Sequence, residues 1–443
     1  MNAESSGGAT AALDIPGAVR DEARSGGGYK WYVLGLLVMI YVLSTIDRLV
    51  LSVVTEPMKA EFHLTDKDIG GLAMAFSVAF GVAVLPMGWL VDRVSRRIFL
   101  GIAVAAWSVL TCLCAFTTNY ASLLLARMGV GLGEAPSGPA CLSLIADTFP
   151  ITQRNTAVGI YTGGTAIGQI VLFVVGGWLM LHFNWRDVFL LAGGPGFFLT
   201  LLLFFTTREP VRGSFDEKPI DQKRAAAGQA RFGKKSPILA NPSLLLAMIA
   251  LTFATGTAYS VTVWVTSFLI RLHGQTVSQA AIWTGVGFGV CTTIGALAVG
   301  PLADRYSRGN PYRLAVIPLI ATTIAFIGGT VMVLSLSLPM SLAGLGLMGI
   351  MTGFFMSTGY SLVMSLSAPD QRGTTLAMTK LFTVLIGDGP VPLLTGAISD
   401  AVGGPGSLRP ALLGTMFLLL ISAFSYLLVR RAISRQQKNA VTA

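Results

Sequence analysis

Six charged residues lie inside long apolar segments of this chain, and side chains of these types can bind anions or move protons. They are the cations Arg48, Arg127 and Lys380 and the anions Asp47, Glu134 and Asp388. A charge inside a lipid bilayer costs roughly 2.5–3.5 kcal/mol on insertion scales. Each of these residues should therefore face a partner or a water-filled cavity.

Asp47 and Arg127 are expected to meet at one depth. Asp47 lies nine residues before Glu56, where the first apolar segment ends, and Arg127 lies seven residues into the fourth segment. At about 1.5 Å per helical residue, both are roughly 11–14 Å from the same surface, with Glu134 two turns below Arg127. A guanidinium keeps a neighbouring carboxylate ionised, and its loss favours protonation. We predict that Asp47, Arg127 and Glu134 form a proton switch, with a static ion pair as the alternative.

Other residues of these segments are candidates for binding a substrate. Arg48 suits a carboxylate or phosphate group, although it could instead pair with Glu134 or reach the interface. Lys380 could also reach the interface. Asp388 lies in a Gly-Asp-Gly-Pro-Val-Pro sequence that cannot remain a regular helix, so it either contacts substrate or solvates this break. Aromatic and polar residues expected near the cavity could hold an acyl chain or a ring, with plain packing as the alternative. They are Tyr41, Tyr161, Gln169, Tyr259, Trp264 and Tyr360.

The elements that position these residues are duplicated. The pattern Gly-x-Leu-x-Asp-Arg-x-Ser-Arg runs from Gly88 to Arg96 and again from Gly300 to Arg308. A repeat of about half the chain indicates two copies of one large unit, an arrangement in which transporters place their substrate site between the halves. The glycines would allow close helix approach and the charges would form a gate, with topology anchoring alone as the alternative. The predicted gate comprises Gly88, Asp92, Arg93, Arg96, Arg154, Gly300, Asp304, Arg305, Arg308 and Arg372.

Composition predicts an all-α polytopic membrane protein with about twelve transmembrane helices in two six-helix bundles. The chain is 53% hydrophobic and 12% charged, with a mean hydropathy of +0.69, and a spanning helix needs about 20 apolar residues. The predicted spans are 30–56, 69–91, 98–116, 120–146, 156–181, 187–206, 242–270, 278–303, 313–334, 338–366, 374–399 and 410–429. The predicted units are a disordered tail at 1–28, bundles at 29–207 and 242–430, a central loop at 208–241 and a tail at 431–443.

Charge distribution predicts the orientation. Lys and Arg concentrate in the even-numbered loops, the central loop and both tails, which places both termini in the cytoplasm. The net charge of +10 then reflects topology and does not indicate nucleic-acid binding. The four cysteines show no metal or disulfide spacing, and no catalytic motif is present. We therefore expect no cofactor, no metal and no enzymatic activity, and a monomer whose partners are substrate, protons and membrane lipids.

These motifs resemble those of a known family. The duplicated loop is similar to the signature of the major facilitator superfamily, and the segment from Arg127 to Glu134 resembles its fourth-helix motif, whose arginine is associated with proton coupling. Finer matches resemble the Spinster-like branch, especially its bacterial members, over about residues 30–430, and this resemblance implies a bacterial inner membrane. They are Ile46-Asp47-Arg48, Glu56-Pro57-Met58-Lys59, Gly133-Glu134-Ala135, Ile145-Ala146-Asp147, Arg208-Glu209-Pro210, Arg271 with His273-Gly274, and Ser407-Leu408-Arg409.

The resemblance implies alternating access by two rocking bundles and amphipathic substrates such as lysophospholipids. Anion:cation symporters share a similar first helix, so a proton-coupled organic-anion (carboxylate) symporter is the alternative. A passive lipid scramblase or a channel is a third possibility. The fifth span lacks the Gly-Pro pair typical of drug/proton antiporters, which disfavours export by proton exchange.

Overall fold

The computed structural model describes residues 28–212, 241–367 and 371–442. Within these ranges the regular elements are helices, and eleven continuous helical stretches are long and apolar enough to cross a membrane. The predicted all-α architecture of two bundles is confirmed. Most of the predicted N-terminal tail and central loop lies outside the described residues.

The first half contains eight α-helices and one π-helical segment. They are α1 (Gly28–Phe62), α2 (Asp66–Val91), α3 (Arg96–Cys114), α4 (Tyr120–Glu134), α5 (Ser137–Thr148), α6 (Ile151–Val171), π1 (Leu172–Gly176), α7 (Gly177–His182) and α8 (Trp185–Thr206).

The second half contains nine α-helices and two π-helical segments in the described ranges. They are α9 (Pro242–His273), α10 (Val277–Thr284), π2 (Gly285–Val290), α11 (Cys291–Ser307), α12 (Pro311–Leu314), α13 (Val316–Leu334), α14 (Leu338–Leu366), α15 (Arg372–Phe382), π3 (Thr383–Asp388), α16 (Pro390–Val402) and α17 (Leu408–Thr442).

Helix starts are set by polar caps that lie outside the apolar runs. Thr65, Asn184 and Thr276 begin α2, α8 and α10, and in each case the residue three positions later completes a capping box. The cap satisfies backbone N–H groups that have no partner inside the helix. Several helices are longer than the predicted spans for this reason, since a cap and not the end of the apolar run fixes the boundary.

The predicted span 120–146 is present but interrupted. It consists of α4 and α5, which are separated at Ala135 and Pro136. Proline lacks the N–H that would continue the helix. This interruption places Glu134 at the end of α4, in the interior of the bundle.

Three spanning stretches contain a π-helical turn, at π1, π2 and π3. A π-turn inserts an extra residue into the helical register and occurs frequently at functional sites. Asp388 is the last residue of π3 and is followed directly by Gly389 and Pro390. The helix break predicted around Asp388 is therefore a π-turn that leads into a new helix.

The two halves pack together at one end of the molecule. We call the side that carries residues 63–65, 274–276 and 403–407 the distal face, and the side that carries residues 28, 92–95 and 207–212 the terminal face. One apolar cluster joins both halves toward the distal face and includes Val54, Phe173 and Phe268. Toward the terminal face each half has a cluster of its own, and one small cluster of Phe80, Ala83 and Ala135 with Val384 still joins them. The main contact between the halves therefore lies toward the distal face, which is the packing expected of a central cavity that opens toward the terminal face.

Glycines permit the close distal contact. A Cβ atom on Gly70 of α2 would lie 2.6 Å from the Cα atom of Leu393 in α16, and a Cβ on Gly177 would lie 3.0 Å from Ala281 in α10. Helix backbones approach this closely only where side chains are very small. Gly88 and Gly300, where close approach was predicted, are different. A Cβ on Gly88 would meet Pro139 only at 3.9 Å, and a Cβ on Gly300 would meet nothing within 4 Å. The prediction of close approach at these two glycines is wrong for this conformation.

Candidate functional site

The centre of the molecule contains an ion pair between Arg48 of α1 and Glu134 at the end of α4. Arg48 Nε lies 3.0 Å from Glu134 Oε1, and the hydroxyl of Ser44 donates to the same oxygen. The Glu134 side chain is fully buried, whereas that of Arg48 is 26% exposed. The Arg48 guanidinium also lies 4.4 Å from the ring centre of Phe80, on α2. The cavity therefore presents the cation, with its carboxylate partner behind it.

Asp47 and Arg127 are adjacent, but their side chains do not form the predicted ion pair. Arg127 Nη1 donates to the backbone oxygen of Asp47 at 2.9 Å, and its guanidinium lies 4.9 Å from the ring centre of Phe76. Both residues are fully buried. Neither carboxylate oxygen of Asp47 has a hydrogen-bond partner among the described residues. The predicted carboxylate–guanidinium contact is wrong for this conformation.

Helix geometry explains the difference. Successive residues of an α-helix point about 100° apart, so Asp47 and Arg48 cannot both face the cavity. Arg48 takes that direction. Asp47 points into its own half, where its neighbours are Thr111 and Cys112 of α3. Asp47 is therefore a buried carboxylate enclosed within one bundle.

A second charge pair lies in the other half. Lys380 Nζ is 3.6 Å from Asp388 Oδ2, and the two side chains are 39% and 17% exposed. Arg48 acts electrostatically on both residues across the cavity. As in the first pair, the cation is more exposed than the carboxylate. Asp388 was predicted as a site residue, whereas for Lys380 an interfacial position was an equal alternative.

Three of the predicted tyrosines accompany the charge pairs. The hydroxyl of Tyr259 donates to the backbone oxygen of Arg48 at 3.3 Å, which links the two halves. Tyr41 and Tyr360 are electrostatic neighbours of Lys380, one from each half. Together these phenols give the cavity a wall that is apolar on the ring faces and polar at the hydroxyls.

The other predicted cavity residues lie farther back. Tyr161 stacks behind Tyr41 with ring centres 4.6 Å apart and is only 3% exposed. Gln169 contacts the second half, because a Cβ on Gly289 would lie 3.3 Å from its Oε1. Trp264 is fully buried and donates from Nε1 to the backbone oxygen of Pro392 at 3.1 Å. The structure places Trp264 in the core, away from the cavity surface.

An ionic cluster at the distal face joins the two halves. Arg271 of α9 donates from Nη2 to Glu56 Oε1 at 2.7 Å and from Nη1 to Asp66 Oδ2 at 2.8 Å. Lys59 also pairs with Asp66, and Ser399 Oγ donates to Asp66 Oδ2 at 2.6 Å. The two carboxylates belong to the first half, and Arg271 and Ser399 belong to the second. We call these residues the distal cluster.

Asp400 completes the distal contact by capping a helix of the other half. Its two carboxylate oxygens accept from the backbone N–H groups of Asp66 and Lys67, at 2.9 and 2.7 Å. A carboxylate at a helix N-terminus is favoured by the helix dipole. This role of Asp400 was not predicted from the sequence. A sequence signal for it was available: Asp400 lies near the end of one helix, and the positive N-terminus of α2 lies at the same face.

At the terminal face the predicted gate residue Arg96 forms an ion network inside the first half. It pairs with Asp147, contacts Ser143 Oγ at 2.9 Å and Glu209 Oε1 at 2.9 Å. Burial alone would raise the pKa of Glu209, but donation from the backbone of Arg97 and from Arg96 outweighs it, so this pKa lies below its usual range. The network ties α3, α5 and the chain after α8 together.

The contacts of the remaining gate residues within the described residues lie inside one half each. Arg93 lies 3.6 Å from the ring centre of Trp89, and Arg154 Nη2 donates to the backbone oxygen of Ala146 at 2.6 Å. Asp304 and Arg308 line a crevice of about 430 Å³ within the second half. No ion pair among the described residues involves the exposed Arg305 or Arg372. The predicted pairing across the halves at this face is absent from residues 28–212, 241–367 and 371–442.

Comparison with known proteins agrees with this architecture. The family model of the Major Facilitator Superfamily matches residues 37–387. A solved bacterial homologue of the human lysosomal transporter Spinster, inward-facing and unoccupied, superposes with a TM-score of 0.83. It is 27% identical, and the match covers 93% of this chain and 99% of that one.

Related proteins are named for different transport activities. An MFS-type efflux pump of Mycolicibacterium smegmatis is 28% identical over 94% of this chain and 95% of its own. The D-galactonate transporter of Escherichia coli is 27% identical over 94% and 98%. The predicted resemblance to the Spinster-like branch is confirmed, and the helices are those of an integral multi-pass membrane protein. This chain belongs to the major facilitator superfamily of membrane transporters.

Proposed function

We propose that this protein is a proton-coupled secondary transporter that moves an amphipathic organic anion by alternating access. The observation that carries the proposal is the Arg48–Glu134 pair. It lies in the cavity between the halves, with the guanidinium partly exposed and the carboxylate fully buried. An anionic substrate entering the cavity meets Arg48 first and competes with Glu134 for it.

Proton coupling follows from this competition. Protonation of Glu134 removes its charge, which frees Arg48 to bind the anionic group of the substrate. When Glu134 is ionised it recaptures Arg48, and the substrate is released. Asp47 and Arg127 lie directly behind the pair, and Asp47 is a second candidate for carrying a proton.

Alternating access is supported by the packing of the two halves. The distal face is closed by the distal cluster and by Asp400, whereas the cavity opens toward the terminal face. The positive-inside rule places the terminal face in the cytoplasm, so this conformation corresponds to an inward-facing state. Breaking the distal contacts and closing the terminal face would expose the same cavity to the other side.

The aromatic wall supports an amphipathic substrate, because Tyr41, Tyr360 and Phe80 can contact an acyl chain or a ring while Arg48 holds the charged group. The second candidate is a proton-coupled symporter of hydrophilic organic anions. It is favoured by the likeness to the D-galactonate transporter over nearly the whole chain.

The test is transport by the purified protein in proteoliposomes under an imposed inward proton gradient. A fluorescent lysolipid and an aromatic carboxylate are supplied in parallel. We expect the lysolipid to accumulate, and Glu134→Gln to lower gradient-driven accumulation by about tenfold or more while exchange without a gradient continues. A tenfold change corresponds to about 1.4 kcal/mol.

The matched control is Glu61→Gln, which removes a carboxylate that pairs with Arg186 at the distal face within one half, at 2.5 Å. It should accumulate substrate like the wild type. Accumulation of the carboxylate alone would replace the first candidate with the second. Equal lysolipid movement with and without the gradient, in the wild type and in Glu134→Gln, would identify a passive pathway and overturn proton coupling.

A further inference from the structure

We infer that the cavity is built for a substrate that carries two negative charges, one bound by Arg48 and the other by Lys380. Glu134 and Asp388 are then resident counter-ions that hold the two cations when the cavity is empty. This inference rests on the proposed function and specifies its substrate class.

The first step is the position of the second pair. Lys380 lies on α15 just before π3 and Asp388 is the last residue of π3, and their charged atoms are 3.6 Å apart. The charged and titratable groups that act electrostatically on Lys380 are Asp388, Tyr360, Arg48 and Tyr41, of which Arg48 and Tyr41 belong to the opposite half. Val384 of π3 packs in one cluster with Phe80, the ring that the Arg48 guanidinium contacts. Lys380 therefore points into the shared cavity and does not extend toward the membrane interface.

The second step is the difference in exposure within each pair. The side chain of Arg48 is 26% exposed against 0% for Glu134, and that of Lys380 is 39% exposed against 17% for Asp388. Both pairs present the cation to the cavity and keep the carboxylate behind it. A ligand that enters the cavity thus contacts two positive groups before it contacts either negative one.

The third step is the geometry of the second pair. A separation of 3.6 Å is longer than a good N–H···O hydrogen bond, which is about 2.7–3.2 Å. An ammonium has three N–H donors, so Lys380 retains donors for a ligand even while Asp388 stays near. The loose pair is easier for an incoming anion to replace than a tight bidentate one.

The fourth step is the location of the two cations in different halves. Arg48 lies on α1 and Lys380 on α15. A dianion bound to both would connect the halves and relieve the repulsion between the two cations. A monoanion could satisfy only one of them, which leaves the other paired with its resident carboxylate.

The experiment compares matched dianions and monoanions as competitors of probe uptake by the wild-type protein in proteoliposomes. The probe is the fluorescent lysolipid or the aromatic carboxylate, whichever accumulates in the first experiment. Galactarate against galactonate tests hydrophilic anions, and dodecylsuccinate against laurate tests amphipathic ones. All four are carboxylates and are ionised at neutral pH. We expect at least one dianion to inhibit at about tenfold lower concentration than its monoanion. Its second carboxylate adds a charge-assisted hydrogen bond to Lys380, and one such bond is enough for about a tenfold gain in affinity. The pair that discriminates identifies which kind of dianion the cavity accepts.

Lys380→Gln should raise the inhibitory concentration of the dianion by about tenfold and leave that of the monoanion within about twofold. Lys380→Arg should keep the preference. The double variant Lys380→Gln with Asp388→Asn removes the pair at once, so it gives the same readout if the single variant does not fold. Lys30→Gln, which alters a lysine bonded to Gln153 at 2.7 Å near the terminal face, is the matched control.

Equal inhibition by mono- and dianions in the wild type would overturn the inference. So would a Lys380→Gln variant that weakens both anions equally. In either case, accumulation that still follows the proton gradient and still fails in Glu134→Gln would leave the proposed function standing. Loss of gradient-driven accumulation in the wild type itself would instead overturn the proposed function.

Discussion

At the scale of single residues, Asp47 is the clearest test of which charges stabilise the fold and which serve coupling. Its carboxylate is fully buried and has no ion-pair partner among the described residues. Desolvation and repulsion by Glu134 oppose this charge more than Arg127 and Thr111 favour it, so exchange for an amide of the same shape should cost little. We expect Asp47→Asn to keep its thermal midpoint or raise it, while gradient-driven accumulation is lost. Differential scanning fluorimetry and proteoliposome uptake measure the two effects.

Asp147→Asn is the matched control for this prediction, because Asp147 does pair with the buried Arg96. Removal of one partner of a buried pair commonly destabilises a protein by about 3–5 kcal/mol, so this variant should melt at a lower temperature. A comparable drop in Asp47→Asn would contradict the prediction and make Asp47 a structural residue.

The residues of the site were largely predictable, but their pairing was not. Charges inside apolar segments are rare and costly, so the sequence identified Arg48, Glu134 and Asp388 directly. Which of Asp47 and Arg48 faces the cavity depends on the rotation of α1 about its axis. That rotation is fixed by packing against other helices and leaves no local signal in the sequence.

At the scale of elements, apolar length predicted the spans, and local polar groups decided where they begin, end and break. The interruption between α4 and α5 arises at Pro136, and the capping boxes lie beyond the apolar runs. The π-turns could not be predicted, because an extra residue in the helical register depends on the neighbouring helices. One of them, π3, carries Asp388.

The contact between α2 and α16 predicts the effect of a single added side chain. A Cβ on Gly70 would lie 2.6 Å from the backbone of Leu393. Overpacking of this kind costs about 1–3 kcal/mol. Because the cost applies only while the distal face is closed, we expect Gly70→Leu to favour a distally open state. Hydrogen–deuterium exchange should increase by about tenfold in residues 66–71 and 393–400.

Gly35→Leu is the control, since a Cβ at Gly35 meets nothing within 4 Å. Both substitutions replace a glycine inside a helix and gain similar helix propensity. Increased exchange in both variants would show that a leucine added to either helix, and not the contact with α16, causes the effect.

At the scale of the whole molecule, the sequence predicted two bundles but not which side of the cavity is open. Under the proposed alternating access one chain supports both conformations, so its repeats and apolar spans are compatible with either. In this conformation the distal cluster connects the two halves and closes the distal face. It brings two carboxylates of the first half onto one arginine of the second, and no residue of this set lies in the duplicated loops.

The distal cluster should therefore control the balance between conformations. Arg271→Gln leaves Glu56 and Asp66 close together without their shared cation, so we expect the distally open population to increase by about tenfold or more. That change corresponds to about 1.4 kcal/mol, which is modest for a largely buried ion pair. Spin labels at Thr118 and Leu336, one on a distal loop of each half, measure the population by electron–electron double resonance. Arg186→Gln breaks a pair at the same face within one half, at 2.5 Å from Glu61, and should leave the distance distribution unchanged. If both variants lengthen the distances equally, general loss of surface charge explains the shift. If neither does, apolar packing and the Asp400 cap hold the distal face closed without Arg271.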